Sequence, residues 1–322
     1  MTVQLLINEK RTGKIWDAYS NTGSCEWTTN RTGDPGTFRF TLLKAGDVSF
    51  VEGDVVRLTV DGELQFYGWV FTKSKNRWGE IEVTCYDRLR YLKANASYAF
   101  YSMTVGDIIR QIAGDLQIGV GTIVNTGYRI PSLIEEDQSC LDIIQSAVLD
   151  TLLATGKIYV FYDDGNGLCL TEAGSMKSKY AIGQNSLLTD YTYKTDIDEQ
   201  TYNSIKLVRA NEETGRSDVF IEMDSNNIQR WGLLQLYQSV DKDLNDAQIV
   251  AQAKTSLAYY NRRMRTISAS CVGINGLRAG QMVFMNIPDL GDISLNQYVL
   301  LERVSHTWKN DVHTMEIETM AI

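Results

Sequence analysis

The feature that most constrains the fold is a faint repeat between the two ends of the chain. Residues 53–60 read GDVVRLTV and residues 280–287 read GQMVFMNI. When Gly53 is placed on Gly280, the first segment's apolar set falls opposite Val283, Met285 and Ile287. Alternating residues keep a common face only if the two segments share one register. The repeat therefore predicts that the same half-buried strand occurs twice.

Further features follow each copy in the same order. An aromatic-led strand comes next, at 67–70 or 298–301, and then a polar turn with a tryptophan, Trp78 or Trp308. A matching strand closes each copy, at 81–83 or 315–317. Any three-stranded meander shares some of these features, but order, register and approximate spacing favour a duplicated β-barrel.

The remaining patterns predict a mainly β chain with a mixed middle. Residues 37–42 alternate apolar with polar, and Asp61-Gly62 is a hairpin signal. Thr104 with Asp107, and Ser139 with Asp142, resemble capping pairs that start helices. We predict an antiparallel β-barrel at 1–98, an α+β region at 99–200 that includes a 157–171 hairpin, and a second barrel at 201–322 with an inserted helix at about 246–260.

Composition narrows the class of partner. The chain has 322 residues, three prolines and a formal net charge of −9. Proteins that bind nucleic acid usually show a basic face, so we expect no sequence-specific nucleic acid binding. The dense basic cluster of Arg262, Arg263 and Arg265 follows Tyr259 and Tyr260, and it is interpreted as the positively charged end of a helix.

The sequence also predicts where the chain is made. Its early apolar run, residues 3–7, is too short for a signal peptide, and no stretch has the roughly 18 apolar residues of a membrane span. We expect that the chain does not insert into a membrane. We also expect that it is made and assembled in a reducing cytoplasm. The five cysteines are scattered and are predicted to be buried rather than bonded or metal-binding: Cys25, Cys85, Cys140, Cys169 and Cys271.

Candidate catalytic residues are few. His306 and His313 flank the last predicted turn and could meet across a hairpin, but two histidines without a nearby third ligand make a poor metal site. The acidic clusters at 135–137 and 163–164 are interpreted as serving a helix start and a turn. We therefore predict no enzyme activity, no cofactor, and no catalytic, cofactor-binding or metal residues. Two alternatives stay open: a peptidoglycan hydrolase with scattered carboxylates, and a cell-wall glycan-binding tail component.

At the family level, the chain resembles baseplate hub proteins of contractile phage tails, especially the XkdQ-like proteins of PBSX-type prophages and the late-control-D branch. The N-terminal likeness lies in residues 38–40, 53–56 and 66–70. The C-terminal likeness is stronger and runs through residues 231–232, 253–254, 277–281, 287–291 and 304–306. The middle third resembles the family only loosely.

The resemblance implies a non-enzymatic structural role. Members of such a family form a trimer whose paired barrels mimic the sixfold tail tube, with a central spike attached below. It implies as partners two further copies of this chain, the tail tube protein, the central spike protein and other baseplate proteins. The expected place is the baseplate of a phage virion or of a tail-like bacteriocin. Because neither a spike nor a hydrolase is fused to the chain, these are expected to be separate proteins.

Overall fold

The seven strands of the N-terminal third lie side by side in one continuous sheet. A computed structural model describes residues 1–43, 48–198, 200–211 and 216–320. Alternating burial along most of these strands shows why they form, since every second residue enters the core. The strands are β1 (Val3–Asn8), β2 (Ile15–Asp17), β3 (Thr22–Asn30), β4 (Thr37–Leu42), β5 (Val55–Val60), β6 (Glu63–Lys75) and β7 (Ile81–Tyr86).

The middle is α+β, as predicted. Both predicted helix starts are confirmed, because the side chains of Thr104 and Ser139 accept hydrogen bonds from the amides of Asp107 and Asp142. The two helices pack with short strands around a separate core. The elements are β8 (Asn95–Met103), α1 (Val105–Asp115), β9 (Val120–Ile123), β10 (Ile130–Ser139), α2 (Cys140–Thr155), β11 (Tyr159–Asp163) and β12 (Leu168–Glu172).

The last part returns to β-structure and carries a small inserted unit. The predicted helix is confirmed at Asp246–Tyr260, with Asn245 as its N-cap. That helix covers one face of a three-stranded sheet. The elements are β13 (Lys177–Gly183), β14 (Leu188–Asp196), β15 (Ser204–Asn211), β16 (Arg216–Met223), α3 (Ser225–Trp231), β17 (Gln235–Val240), α4 (Asp246–Tyr260), β18 (Met264–Val272), β19 (Met282–Ile287), β20 (Leu295–Lys309) and β21 (Val312–Thr319).

The strand order reveals the duplication. The N-terminal repeat runs β1-β5-β6-β7-β4-β3, and the C-terminal repeat runs β13-β19-β20-β21-β18-β14. Each repeat has one long strand, β6 or β20, that pairs with different neighbours along its two halves. Val56, Leu58 and Val60, like their counterparts in β19, are fully buried. The predicted register between the two ends is therefore confirmed.

Three details differ from the prediction. Among the described residues, the hydrogen-bonded order leaves the sheet open, so closed barrels are not found. The pairing is not wholly antiparallel, because β13 enters from the middle region and runs parallel to β19. Trp78 and Trp308 are not counterparts. Trp78 lies in the β6–β7 turn and is exposed, whereas Trp308 is buried inside β20, where β3 packs beside it.

The segment bounds at 98 and 200 remain a prediction. The pairings add that β13 and β14 bond to strands of the last third, since β14 pairs with β18 over eight residue pairs. The inserted unit of β15, β16, β17 and α4 therefore lies, in sequence, between two adjacent strands of the C-terminal repeat.

Candidate assembly site at the joint of the two repeats

The duplication extends to individual backbone bonds. Gly53 donates to the carbonyl of Val70, and Gly280 donates to the carbonyl of Leu301, both at 2.8 Å. Both glycines have φ of +87°, a conformation that other residues adopt at a cost. Strands β6 and β20 also carry an irregularity at the same place, directly after Val70 and after Leu301. Position-by-position equivalence between the repeats follows from these shared features.

The residues after each glycine repeat the same turn. The Asp54 side chain accepts from the amide of Val51 at 2.8 Å, and the Gln281 side chain accepts from the amide of Arg278 at 3.0 Å. The long strands β6 and β20 donate a backbone hydrogen bond in the other direction. The Val70 amide donates to the Asp54 carbonyl, and the Leu301 amide donates to the Gln281 carbonyl. A carboxylate and an amide oxygen can do the same work because both are acceptors.

The two repeats join into one sheet through β3 and β20. Residues Cys25 to Asn30 pair antiparallel with Arg303 to Trp308. The hydroxyl groups of Thr28 and Ser305 lie 2.7 Å apart across this joint. Backbone pairing of this length fixes the orientation of one repeat against the other.

Side chains reinforce the joint. The Arg31 Nε atom lies 2.9 Å from both carboxylate oxygens of Glu302, and both side chains are mostly buried. The Trp27 ring stacks on the His306 ring with centroids 5.2 Å apart. Charge-assisted and aromatic contacts of this kind add geometric specificity to the backbone bonds.

A buried charge cluster connects all three segments next to the joint. Asp163, the last residue of β11, accepts from the Arg88 guanidinium at 2.7 Å and from the Arg88 amide at 2.9 Å. The Arg278 guanidinium donates to the Asp163 carbonyl at 2.6 Å and lies over the Tyr162 ring. Burial, and then the Asp163 charge, raise the pKa of Asp87. Buried ionic groups are costly to separate, so the cluster resists relative movement of the segments.

The two histidines meet across the β20–β21 hairpin. His306 Nδ1 and His313 Nε2 are 2.9 Å apart, and the other His306 nitrogen lies 2.6 Å from the Leu277 carbonyl. Burial lowers the pKa of His306 to about 3 and that of His313 to about 4. The pair therefore stays neutral at neutral pH, and no cluster of three metal-ligating residues occurs in the described ranges.

One of the two acidic clusters lies where backbone amides need acceptors. In the turn at 163–167, the Asp164 side chain accepts from the amides of Asn166 and Gly167, as interpreted from the sequence. The 135–137 cluster lies near the end of β10 and directly precedes α2 in sequence, because that strand continues to the helix N-cap Ser139. Neither the Arg88 partner of Asp163 nor the buried Asp87 was singled out from the sequence. Their contacts join residues far apart in the chain.

One carboxyl group has a shifted pKa in a groove. Asp150 of α2 lines a groove together with Glu135 of β10, opposite α4. Burial first, and then the Glu135 charge, raise the pKa of Asp150 to about 6. Such a value suits a general acid, but burial beside a like charge produces it without any catalytic role.

The basic cluster lies beyond the helix end. Helix α4 stops at Tyr260, and Arg263 and Arg265 pair with Asp292 at 3.5 and 3.2 Å. The prediction that these cations complete the last helical turn is therefore wrong, because Arg265 already belongs to β18. Arg263 and Arg265 are therefore balanced by the loop that carries Asp292 rather than by the helix.

The predicted burial of the cysteines is confirmed, since all five are buried and free. Burial raises the pKa of Cys25 to about 12, which makes its thiol unreactive at neutral pH. Within the described ranges, no helix is both long and apolar enough to cross a bilayer.

Solved structures share this fold. The 43 kDa tail protein of prophage MuSo2 from Shewanella oneidensis matches with a TM-score of 0.72 at 12% identity, over 99% of this chain and 98% of that one. The tail protein from Neisseria meningitidis MC58 matches with a TM-score of 0.73 at 14% identity, over 99% of this chain and 97% of that one. A third match is the E. coli protein c3393, a type VI secretion component with structural similarity to the T4 tail proteins gp27 and gp5. Its TM-score is 0.54 at 10% identity, over 94% of this chain and 74% of that one.

Closer relatives come from Bacillus subtilis strain 168. The protein YqbQ is 30% identical over 288 residues, which are 87% of this chain and 85% of that protein. The phage-like element PBSX protein XkdQ is 30% identical over 287 residues, or 87% and 86%. A family model described as YqbQ-like matches residues 25–320. This chain therefore belongs to the YqbQ-like family, which agrees with the predicted resemblance to XkdQ-like prophage proteins.

Proposed function

We propose that the chain is a structural baseplate hub. It adapts the sixfold tail tube to the threefold central spike of a contractile phage tail or tail-like bacteriocin, and it turns over no substrate. Three copies form a ring, and each copy supplies two equivalent repeats. Its place is the baseplate of the particle, and its assembly occurs in the cytoplasm of the host bacterium.

The duplication of the backbone carries this proposal. Two repeats that share strand order, bulge position and turn hydrogen bonds offer two similar surfaces in each chain. Three chains then present six similar units to a sixfold tube and three identical chains to a threefold spike. Closed cyclic symmetry leaves no open end that would polymerise. The family relation to a PBSX protein and the fold shared with solved tail proteins support the same role.

The test is a measurement of mass together with electron microscopy. The full chain is mixed with the tube and spike proteins encoded beside it. The mass of the complex is then measured, and the complex is imaged by electron microscopy. We expect three copies in a ring with pseudo-sixfold symmetry, in contact with tube and spike. A one-to-one monomeric complex, or no complex with either protein, contradicts the proposal.

A second candidate is a peptidoglycan hydrolase, and one observation favours it. Asp150 and Glu135 line a common groove, and the pKa of Asp150 is raised to about 6. Loss of turbidity in a peptidoglycan suspension that disappears in Asp150→Asn would establish it. For the glycan-binding alternative, exposed aromatic residues exist, but Trp78 lies in the β6–β7 turn while Tyr101 and Tyr237 lie on two other sheets.

A further inference from the structure

Two strand segments have a neighbour on only one side. In the described parts of the chain, β14 ends the sheet and pairs with β18 alone. The second half of β6, after Phe71, pairs with β7 alone, because β5 reaches only to Trp69. An open edge of this kind is a template for another strand.

These two edges are equivalent to the two strands that meet inside the chain. Strand β14 occupies the place of β3 in its repeat, and the second half of β6 occupies the place of the second half of β20. Within one chain, β3 pairs with β20. We propose that β14 of one copy pairs antiparallel with β6 of the next copy, so that one type of contact joins every neighbouring pair of repeats.

The register of this contact follows from the equivalence. Pairing of β14 with β18 and of β3 with β4 aligns Tyr193 with Trp27, and Lys194 with Thr28. The bulges in the long strands align Ser74 with Ser305. Thr28 faces Ser305 in the joint, so Lys194 is expected to face Ser74 of the next copy.

The side chains at equivalent positions remain complementary. The ion pair of Arg31 and Glu302 is replaced by Ile197 and Phe71, which are both half-buried and apolar. Their contact would remove apolar surface from water where the joint inside the chain has an ion pair. The stacked pair of Trp27 and His306 is replaced by Tyr193 and Lys75, which suit a cation–π contact.

The corner beside β6 is uncovered, whereas its counterpart is not. Val51 is 54% exposed, while the equivalent Arg278 is half-buried and donates to the Asp163 carbonyl of the middle region. At the joint, the Ala279 amide donates to Thr29 Oγ1 at 2.9 Å. The equivalent bond would run from the Glu52 amide to Thr195 of the next copy.

This inference rests on the proposed ring, and it specifies how the ring closes. Each chain carries one edge of each kind, so the contact is head-to-tail. Head-to-tail contacts form a ring when the rotation closes and a filament when it does not. The angle between β3 and β20 in the chain is then the angle that repeats six times.

Disulfide trapping tests the register in the full chain. Lys194→Cys combined with Ser74→Cys places two thiols at directly opposed positions, and the native cysteines are all buried. After mild oxidation we expect covalent dimers and trimers, with the trimer as the largest species. Thr192→Cys with Ser74→Cys is the control, because it keeps the face but shifts the register by two residues and should give less than about a tenth of the cross-linked product.

A charge transplant tests the contact in a second way. Ile197→Arg or Phe71→Glu alone should weaken self-association about tenfold, measured by sedimentation. The double variant recreates the Arg31–Glu302 pair between copies and should return to within about threefold of the parent. Recovery in the double variant also shows that neither change merely unfolds the chain.

The outcomes separate this contact from the ring itself. A trimer whose opposed cysteines fail to cross-link, or whose double variant shows no recovery, overturns the β14–β6 contact but leaves the hub. A chain that stays monomeric even with tube and spike proteins overturns both. Cross-linking by the opposed pair alone, ending at the trimer, supports both.

Discussion

At the scale of single residues, the two repeats offer matched pairs that share a backbone but differ in surroundings. Gly53 and Gly280 have the same φ of +87°. Among the described residues, apart from its chain neighbours, no heavy atom lies within 4 Å of a Cβ placed on Gly53, whereas a Cβ on Gly280 collides with Val160 of the middle region. Backbone conformation and packing can therefore be measured separately.

We expect Gly53→Ala to lower the free energy of unfolding by about 1 kcal/mol, because alanine is strained at this φ. Gly280→Ala should cost about 3 kcal/mol or more, because Val160 must also move. Urea unfolding of both variants provides the comparison, with Gly53→Ala as the control. Equal losses would show that the middle region does not pack against this corner as described.

The histidine pair predicts a pH dependence of stability. In the folded chain the pKa values of His306 and His313 lie at about 3 and 4, below the ordinary value of 6.5. Between the folded and the ordinary pKa values, the unfolded chain binds more protons than the folded chain. The contribution of the two histidines to the free energy of unfolding is therefore fully present above about pH 6.5 and is lost as the pH falls below it. We expect a loss of at least about 2 kcal/mol between pH 7 and pH 4.5 in urea unfolding. The double change to glutamine should reduce this slope. If the free energy of unfolding still falls as steeply with pH in the double variant, carboxylates rather than the histidines cause the pH dependence.

At the scale of elements, the pairing of β3 with β20 makes two repeats into one sheet. The joint combines a backbone ladder, a hydroxyl pair and the ion pair of Arg31 with Glu302. Because that ion pair is mostly buried and both carboxylate oxygens are engaged, it should contribute more than a surface pair does. The joint is also the reference geometry for the contact proposed between copies.

A double-mutant cycle with Arg31→Ala and Glu302→Ala measures this ion pair. We expect a coupling free energy of about 1 kcal/mol in the monomer. The exposed pair of Lys157 and Glu172, at 3.3 Å, is the matched control and should show coupling close to zero. If both pairs couple equally weakly, backbone pairing alone holds the joint.

At the scale of the whole molecule, stability is distributed unevenly. Large cores fill both repeats and the middle region. The inserted unit has a smaller core, in which the fully buried residues are Ile205, Leu207, Ile249 and Ala253. Fewer buried contacts mean a lower free energy of local opening.

Hydrogen exchange followed by mass spectrometry should show this order. We expect the amides of β15, β17 and α4 to exchange at least about tenfold faster than those of β3 and β20 at neutral pH. In the assembled ring, protection should rise along β14 and β6, while the inserted unit stays unchanged unless a tail protein covers it. Uniform exchange across all elements would mean that the chain opens only as a whole.

The sequence by itself determined the local features and their repetition. The register of residues 53–60 on 280–287, the two helix caps and the helix at Asp246–Tyr260 all depend on neighbours along the chain, and all are confirmed. Tertiary structure decided the rest. The β3–β20 joint, the parallel β13 and the cluster around Asp87 and Arg278 bring together residues that are distant in sequence. Short-range periodicity carries no information about such pairings, because backbone hydrogen bonds between strands do not depend on which side chains meet.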